Sequence, residues 1–270
     1  TVDAVVHEGA AVSDWCALDV ARATNVAGSL AVRDPFPGAR FVHVSSGSVY
    51  DPYRPSVRAR EHEAPVARYL DAYGTTKAEA ERALARDVAR HPDRGAVVVL
   101  RPHAVYGPGD STLLPRVEAA VRRGRLVLPG GGRVLQSLTH VDTLLAAVRA
   151  AVMLPDTAAR APGAGDGAAG GPLVVNVADA EPVVLRDALA DALRRRGTAV
   201  RVVAVPVRPA WALAGAVETV ARRLRRPEPP RLTRYALSHL AMERTYDLAV
   251  LRDVLGVDPA LTSFVGAERW

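Results

Sequence analysis

The chain has 270 residues, 49% of them hydrophobic and 24% charged, which is enough to bury one large core or one and a half and too apolar for a disordered protein. Its net charge of +6 is compatible with an anionic partner, but the arginines are scattered and aromatics make up only 5%, so no nucleic-acid partner is expected. Cys16 stands alone, the histidines lack metal-ligand spacing, and no apolar run is long enough to cross a bilayer, which excludes a disulfide framework, a metal site and a spanning helix.

In chain order, Val2 to Val6 is a short apolar run that stops at His7-Glu-Gly-Ala, the pattern of a buried strand followed by small residues. The opening residues carry no basic region ahead of a long apolar stretch, so a cytoplasmic setting is expected. A helix is expected from about Asp14 to Arg33, containing Asn25-Val-Ala-Gly28, then a strand at Phe41–Val44 that runs into Ser45-Ser-Gly-Ser-Val-Tyr50. Asp51 to Pro65 is rich in proline and arginine and reads as a loop. Leu70 to His91 has helical periodicity, and Ala96–Leu100 is a β-branched strand ending at Arg101-Pro102. Beyond Asp110, helices are expected at Leu113–Arg123, Val141–Met153, Leu185–Arg196 and between Pro209 and Arg225, with a strand at Leu173–Val177. Ala158 to Gly171 reads as a Gly/Ala-rich surface loop, and its Gly163-Ala-Gly165-Asp-Gly167 does not follow a strand, so it is no dinucleotide fingerprint. Strands alternating with helices predict an α/β fold with a parallel sheet covered on both faces.

Of the 35 lysine and arginine residues only Lys77 is a lysine, and it follows Tyr73 by one helical turn. That spacing puts both side chains on one helix face. A free tyrosine titrates near 10, too high for a base at neutral pH, and a neighbouring ammonium lowers that value. Ser46, at the end of the preceding strand, is placed to hydrogen-bond a reacting oxygen, and ligands in open α/β sheets lie beyond the carboxyl ends of the strands. Such a set transfers a proton at a carbinol oxygen while a cofactor carries the hydride. The plainer alternatives are an exposed Tyr73/Lys77 pair worth a few tenths of a kcal/mol, a satisfied helix polar group for Asn25, and a turn hydroxyl for Ser46, with Ser45 and Ser48 as its competitors.

On Asp3-Ala-Val-Val-His-Glu-Gly-Ala10, Asn25-Val-Ala-Gly28, Val44-Ser-Ser-Gly-Ser-Val-Tyr50, Tyr73-Gly-Thr-Thr-Lys77-Ala-Glu-Ala-Glu81, Leu100-Arg-Pro-His-Ala-Val-Tyr-Gly-Pro-Gly-Asp110 and Thr139-His-Val-Asp142, the chain resembles the extended short-chain dehydrogenases/reductases. Pro229-Pro-Arg-Leu-Thr233, Tyr246-Asp-Leu and Leu255-Gly-Val-Asp-Pro259 make it most similar to the 3β-hydroxysteroid dehydrogenase/isomerase group. The resemblance implies a Rossmann-like doubly wound parallel sheet with a smaller C-terminal α/β substrate domain. It implies NAD or NADP as cofactor, touched near Gly9, Ala10, Pro102, His103 and Val105 as well as by Tyr73 and Lys77. It implies Tyr73 as acid/base, Lys77 on the ribose, Ser46 on the substrate oxygen and Asn25 in a proton relay. The implied reaction is oxidation of a secondary alcohol, or reduction of the ketone, on a hydrophobic, steroid-like substrate. A nucleotide-sugar epimerase or dehydratase, or a non-catalytic remnant, is the alternative.

The family's opening strand, Gly-x-x-Gly-x-x-Gly turn and helix have no counterpart in this sequence, which starts at what would be the fourth strand. An N-terminally truncated Rossmann domain over 1–110 is therefore expected, with segments near 135–180 returning to it and 111–270 mainly binding substrate. Arg208 to Arg226 joins an apolar start to a cluster of four arginines. A packed helix with a solvated end is the preferred reading, and a peripheral contact of 208–226 with an anionic membrane is the alternative. A homodimer completes the expected partners.

Overall fold

A computed structural model describes residues 2–13, 15–159, 170–226, 228–230 and 232–270. The Gly163–Gly167 tract lies outside the described residues. In chain order the strands are β1 Ala4–His7, β2 Arg40–Val44, β3 Ser56–Ala59, β4 Val97–Pro102, β5 Val105–Tyr106, β6 Arg125–Pro129, β7 Leu135–Gln136, β8 Thr139–His140, β9 Leu173–Val177, β10 Val183–Val184, β11 Arg201–Val205 and β12 Arg244–Tyr246. The α-helices are α1 Leu18–Arg22, α2 Gly28–Arg33, α3 Ala72–Arg90, α4 Leu113–Ala120, α5 Val141–Met153, α6 Asp156–Ala159, α7 Leu185–Arg195, α8 Val207–Arg223, α9 Arg234–Ala241 and α10 Ala249–Asp253.

The β-branched run Val97-Val-Val-Leu100 sits at the centre because both of its faces are covered. The central sheet has the order β1-β2-β4-β9 with every pairing parallel. Phe41, Val97 and Val99 point to one side, where Leu84 of α3 packs on them. Val42, Val98, Leu100 and Val175 point to the other, against Ala147 and Ala151 of α5. Each fully buried aliphatic side chain of this kind contributes on the order of 1.5–3 kcal/mol. All four strands run the same way, so the segments after His7, Val44, Pro102 and Val177 gather at one end of the sheet.

A second layer carries the rest of the chain. The parallel pair β6–β11 is covered by α7, with Leu126 and Leu128 against Leu185, Leu189 and Leu193. A further sheet has the order β10-β7-β12-β3. Its β3 corrects the loop expected over Asp51–Pro65: Ser56–Ala59 pairs in parallel with β12, Ser56 opposite Arg244, and Glu61–Glu63 makes a helical turn. The partner strand lies far downstream, so local composition gave no sign of the pairing. Strands β6 and β11 were likewise not expected. The helix expected from Asp14 begins at Leu18, and Ala23–Ala27 form a π turn between α1 and α2.

Candidate active site

Tyr73 stands in the first turn of α3. That turn starts where it does because the Asp71 carboxylate accepts a hydrogen bond from the Gly74 amide at 2.9 Å, a helix N-cap. Two glycines let the surrounding segments close on it. A Cβ on Gly74 would lie 3.1 Å from the Ser48 carbonyl oxygen, so α3 packs directly on the turn after β2. A Cβ on Gly47 would lie 2.8 Å from Tyr246 Oη and 3.0 Å from His103 Nδ1, so that turn packs as closely on β12 and the end of β4. Ser46 opens the turn; its hydroxyl accepts from the Ser48 amide at 3.1 Å and is near enough to Tyr73 to pull the phenol's pKa down.

Lys77 is buried one turn further along α3. Its ammonium donates to the Val44 carbonyl at 2.7 Å, which ties α3 to the carboxyl end of β2 and leaves two donors. Burial pulls its pKa down to about 8, against the opposing pull of Glu81. Burial pushes the Tyr73 phenol up; Ser46 opposes this, and the Asp71 carboxylate adds to it. The direction is the reverse of that expected from a neighbouring ammonium. Desolvation outweighs the downward pull of Ser46, so Tyr73 is protonated through the neutral range.

Asn25 faces α3 from the π turn, a feature frequent at functional sites. Its side chain is committed: Oδ1 accepts from the Ala11 amide at 2.6 Å, and Nδ2 donates to the Ala11 carbonyl at 3.1 Å and to Thr76 Oγ1 at 2.8 Å. It clamps the segment carrying Gly9 and Ala10, beyond β1, onto the helix that carries Tyr73 and Lys77. Pro102 ends β4 opposite Val177, and Val105 pairs with Thr139 in the short β5–β8 ladder. His103 is buried, its amide donating to Thr139 Oγ1 at 3.0 Å and its Nε2 lying 3.3 Å from Gln136 Oε1. Burial pulls the His103 pKa down to about 4, so its ring is neutral.

Sequence reasoning gave no role to two groups beside these residues. Arg101 and Glu81 form a buried ion pair at 2.7 Å, and Glu81 also accepts from Ser45 Oγ. Arg101 further donates to the carbonyls of Glu61 and Ala64 at 2.7 and 3.0 Å. The available signal was Glu81 itself, one turn beyond Lys77 on the same helix face. The second is Tyr235 of α9, whose Oη lies 3.0 Å from Ser48 Oγ; no local pattern marks it.

The residues at this end of the sheet fit the nicotinamide-ribose end of a dinucleotide. Lys77 has two donors to offer, Gly9 and Ala10 present little bulk, and the buried His7 Nε2 at the end of β1 has no hydrogen-bond partner among the described residues. A bound nicotinamide supplies or removes a hydride there; the protein's part is to hold it and to move the accompanying proton.

The profile of the NAD dependent epimerase/dehydratase family matches residues 1–162. The chain belongs to this family. It is 31% identical over 99% of its length to a 2-alkyl-3-oxoalkanoate reductase of Stenotrophomonas maltophilia, of which it covers 79%. It is 26% identical over 85% of its length to a 3beta-hydroxysteroid-dehydrogenase/decarboxylase isoform of Arabidopsis thaliana, of which it covers 40%. Among solved structures, MoeE5 in complex with UDP-glucose and NAD superposes with a TM-score of 0.66 at 22% identity, over 98% of this chain and 76% of that one. The fold is therefore the Rossmann-like α/β fold, the cofactor class is NAD or NADP, and the chain is an enzyme of the extended short-chain dehydrogenase/reductase type. Among the described residues no helix is long and apolar enough to cross a membrane.

Proposed function

We propose that this enzyme reduces a ketone on a hydrophobic substrate, or runs the reverse oxidation of the secondary alcohol, with Tyr73 as the proton donor. The observation that carries this reading is the convergence of three side chains at the carboxyl end of β2: Lys77 donates to the Val44 carbonyl at 2.7 Å, Ser46 follows two residues later, and Tyr73 stands one helical turn before Lys77 with Ser46 pulling its pKa down against burial. Ser46 orients the substrate oxygen, Tyr73 delivers the proton, and the spare donors of Lys77 hold the ribose. The phenol is held above its ordinary value and arrives with its proton, which favours the reductive direction near neutral pH. Gly9, Ala10, Pro102, His103 and Val105 contribute the wall against the cofactor, and Asn25 fixes part of that wall. The division of labour follows the layers, the central sheet holding cofactor and the region beyond Asp110 holding substrate.

The hydrophobic substrate class draws support from the named activities of the relatives. It also draws support from α8, whose Leu213, Val217 and Val220 are exposed ahead of the exposed Arg222, Arg223, Arg225 and Arg226. Such a helix suits a peripheral contact with an anionic membrane. Co-sedimentation with anionic vesicles, lost when the four arginines are removed, tests that contact.

The central test is Tyr73→Phe, assayed for nicotinamide-linked turnover on a panel of long-chain 3-oxo acids, sterols and nucleotide sugars. Loss of turnover by about a thousandfold is expected, with the circular-dichroism spectrum unchanged. Turnover retained by the variant, or confined to nucleotide sugars, overturns the reading.

A further inference from the structure

Helix α3 meets the exit of β2 over successive turns. Tyr73, Lys77 and Glu81 follow one another at intervals of four residues, so they share one helix face. Lys77 donates to the Val44 carbonyl at 2.7 Å. Glu81 accepts from the hydroxyl of Ser45, the next residue along β2. Ser46 comes after it. Ser45 is buried with its hydroxyl committed to Glu81, so it does not compete with Ser46 for a substrate oxygen.

Both ends of this clip are anchored. The Ser45 amide donates to the Leu100 carbonyl of β4 at 2.7 Å. Arg101, the following residue of β4, holds the Glu81 carboxylate with two donors, Nε on Oε1 at 3.0 Å and Nη2 on Oε2 at 2.7 Å. Arg101 is itself fixed by the carbonyls of Glu61 and Ala64 and by Tyr50 Oη at 3.3 Å. Glu81 therefore has one buried, directional position, and Ser45 is tied to it.

The groups that face Lys77 are few. His7 of β1 and His43 of β2 both feel its charge, but burial pulls their values down and the ammonium adds to that, so both rings are neutral at pH 7. Tyr73 keeps its proton there. Glu81 is the group that opposes burial at Lys77, and the Arg101 charge is paired with it.

We propose that Ser45 and Glu81 are positioning residues for Lys77. The proposal rests on the reading that Lys77 holds the cofactor. The Ser45–Glu81 bond sets the exit of β2 against α3, so the Val44 carbonyl stays under one ammonium donor and the other two are left for a ligand. The Glu81 carboxylate holds the charge on the ammonium, and Arg101 holds the carboxylate in place.

The first test needs no cofactor. Lys77 is the one lysine of the chain, so protein carrying 13C at the lysine ε carbon gives a single lysine signal to titrate. A midpoint at about 8 is expected in wild type. In Glu81→Gln, which keeps the size of the side chain and removes its charge, the midpoint is expected about one pH unit lower. The second variant, Ser45→Ala, removes one hydroxyl and leaves that charge. It is expected to raise KM for the nicotinamide cofactor about fivefold with kcat nearly unchanged, a split that a loss of folded protein alone does not produce. A wild-type midpoint in Glu81→Gln, or a wild-type cofactor KM in Ser45→Ala, overturns the positioning role. If Lys77→Met loses cofactor binding while Ser45→Ala and Glu81→Gln behave as wild type, only the positioning role fails. If Lys77→Met binds cofactor as wild type does, the reading beneath it fails first.

Discussion

Replacing Lys77 with methionine should make the protein more stable at neutral pH while ending its activity. The Lys77 side chain is 3% exposed, and its pKa falls from the ordinary 10.5 to about 8. That gap of roughly 2.5 pH units corresponds to about 3 kcal/mol by which the fold disfavours the ammonium. Methionine is of similar length and apolar, so the penalty disappears. Against this stands the lost hydrogen bond to Val44, worth about 1 kcal/mol. The net gain near pH 7 is about 2 kcal/mol, or roughly 5 °C in Tm for a chain of this size. The sign then depends on pH. Between about 8 and 10.5 the unfolded chain holds the Lys77 proton and the folded one does not, so wild-type stability rises with pH by about 1.4 kcal/mol per unit relative to the variant. The variant's advantage should be full below pH 8, vanish near pH 9.5 and reverse by pH 10. Urea unfolding of both proteins at pH 7, 8.5 and 10 measures this. A difference that stays constant across that range refutes the assignment of a buried, charge-disfavoured lysine.

The same geometry sets three further expectations. Glu81→Ala leaves the Arg101 guanidinium buried without its carboxylate and should cost about 3–5 kcal/mol in urea unfolding, with Glu81→Gln losing distinctly less; equal stability of Glu81→Ala and wild type would show that the pair is replaceable. Gly47→Ala puts a methyl 2.8 Å from Tyr246 Oη and 3.0 Å from His103 Nδ1, so it should destabilise by about 1–3 kcal/mol and displace Ser46, lowering kcat/KM more than folding alone explains. Because Lys77 loses its charge above about 8, kcat/KM should fall on the alkaline side near that pH, and a profile flat to pH 10 would separate Lys77 from cofactor binding.

What was legible in the sequence was what short-range pattern encodes. The run Val97–Leu100 reads as a doubly covered strand because both of its neighbours in space are apolar, and the Tyr73/Lys77 spacing fixes a shared helix face whatever surrounds it. The strands that pair across long separations were not legible. Ser56–Ala59 looks like loop because its partner β12 lies near the other end of the chain, and β6 with β11 are short runs broken by charge. Within the candidate site the residue types were legible but their electrostatics were not. Proximity in sequence suggested that the lone ammonium acidifies the phenol, yet burial raises the Tyr73 value and lowers that of Lys77, because desolvation depends on the packing of β2, α3 and the turn after Ser46 taken together.

That packing also explains why charged and hydroxyl groups persist in a region where apolar ones would be more stable. Arg101 and Glu81 lock β4 to α3, Lys77 locks α3 to β2, and Asn25 locks the turn beyond β1 to α3. Each contact fixes a carboxyl end of the sheet against the helix that carries Tyr73. Replacing such pairs with aliphatic side chains often gains stability, but it would remove the directional bonds that hold the carboxyl ends of the sheet in one register against α3. The energetic cost of burying these groups is therefore borne at the carboxyl ends of the central sheet, while the β6–β11 pair is packed by plain leucines of α7.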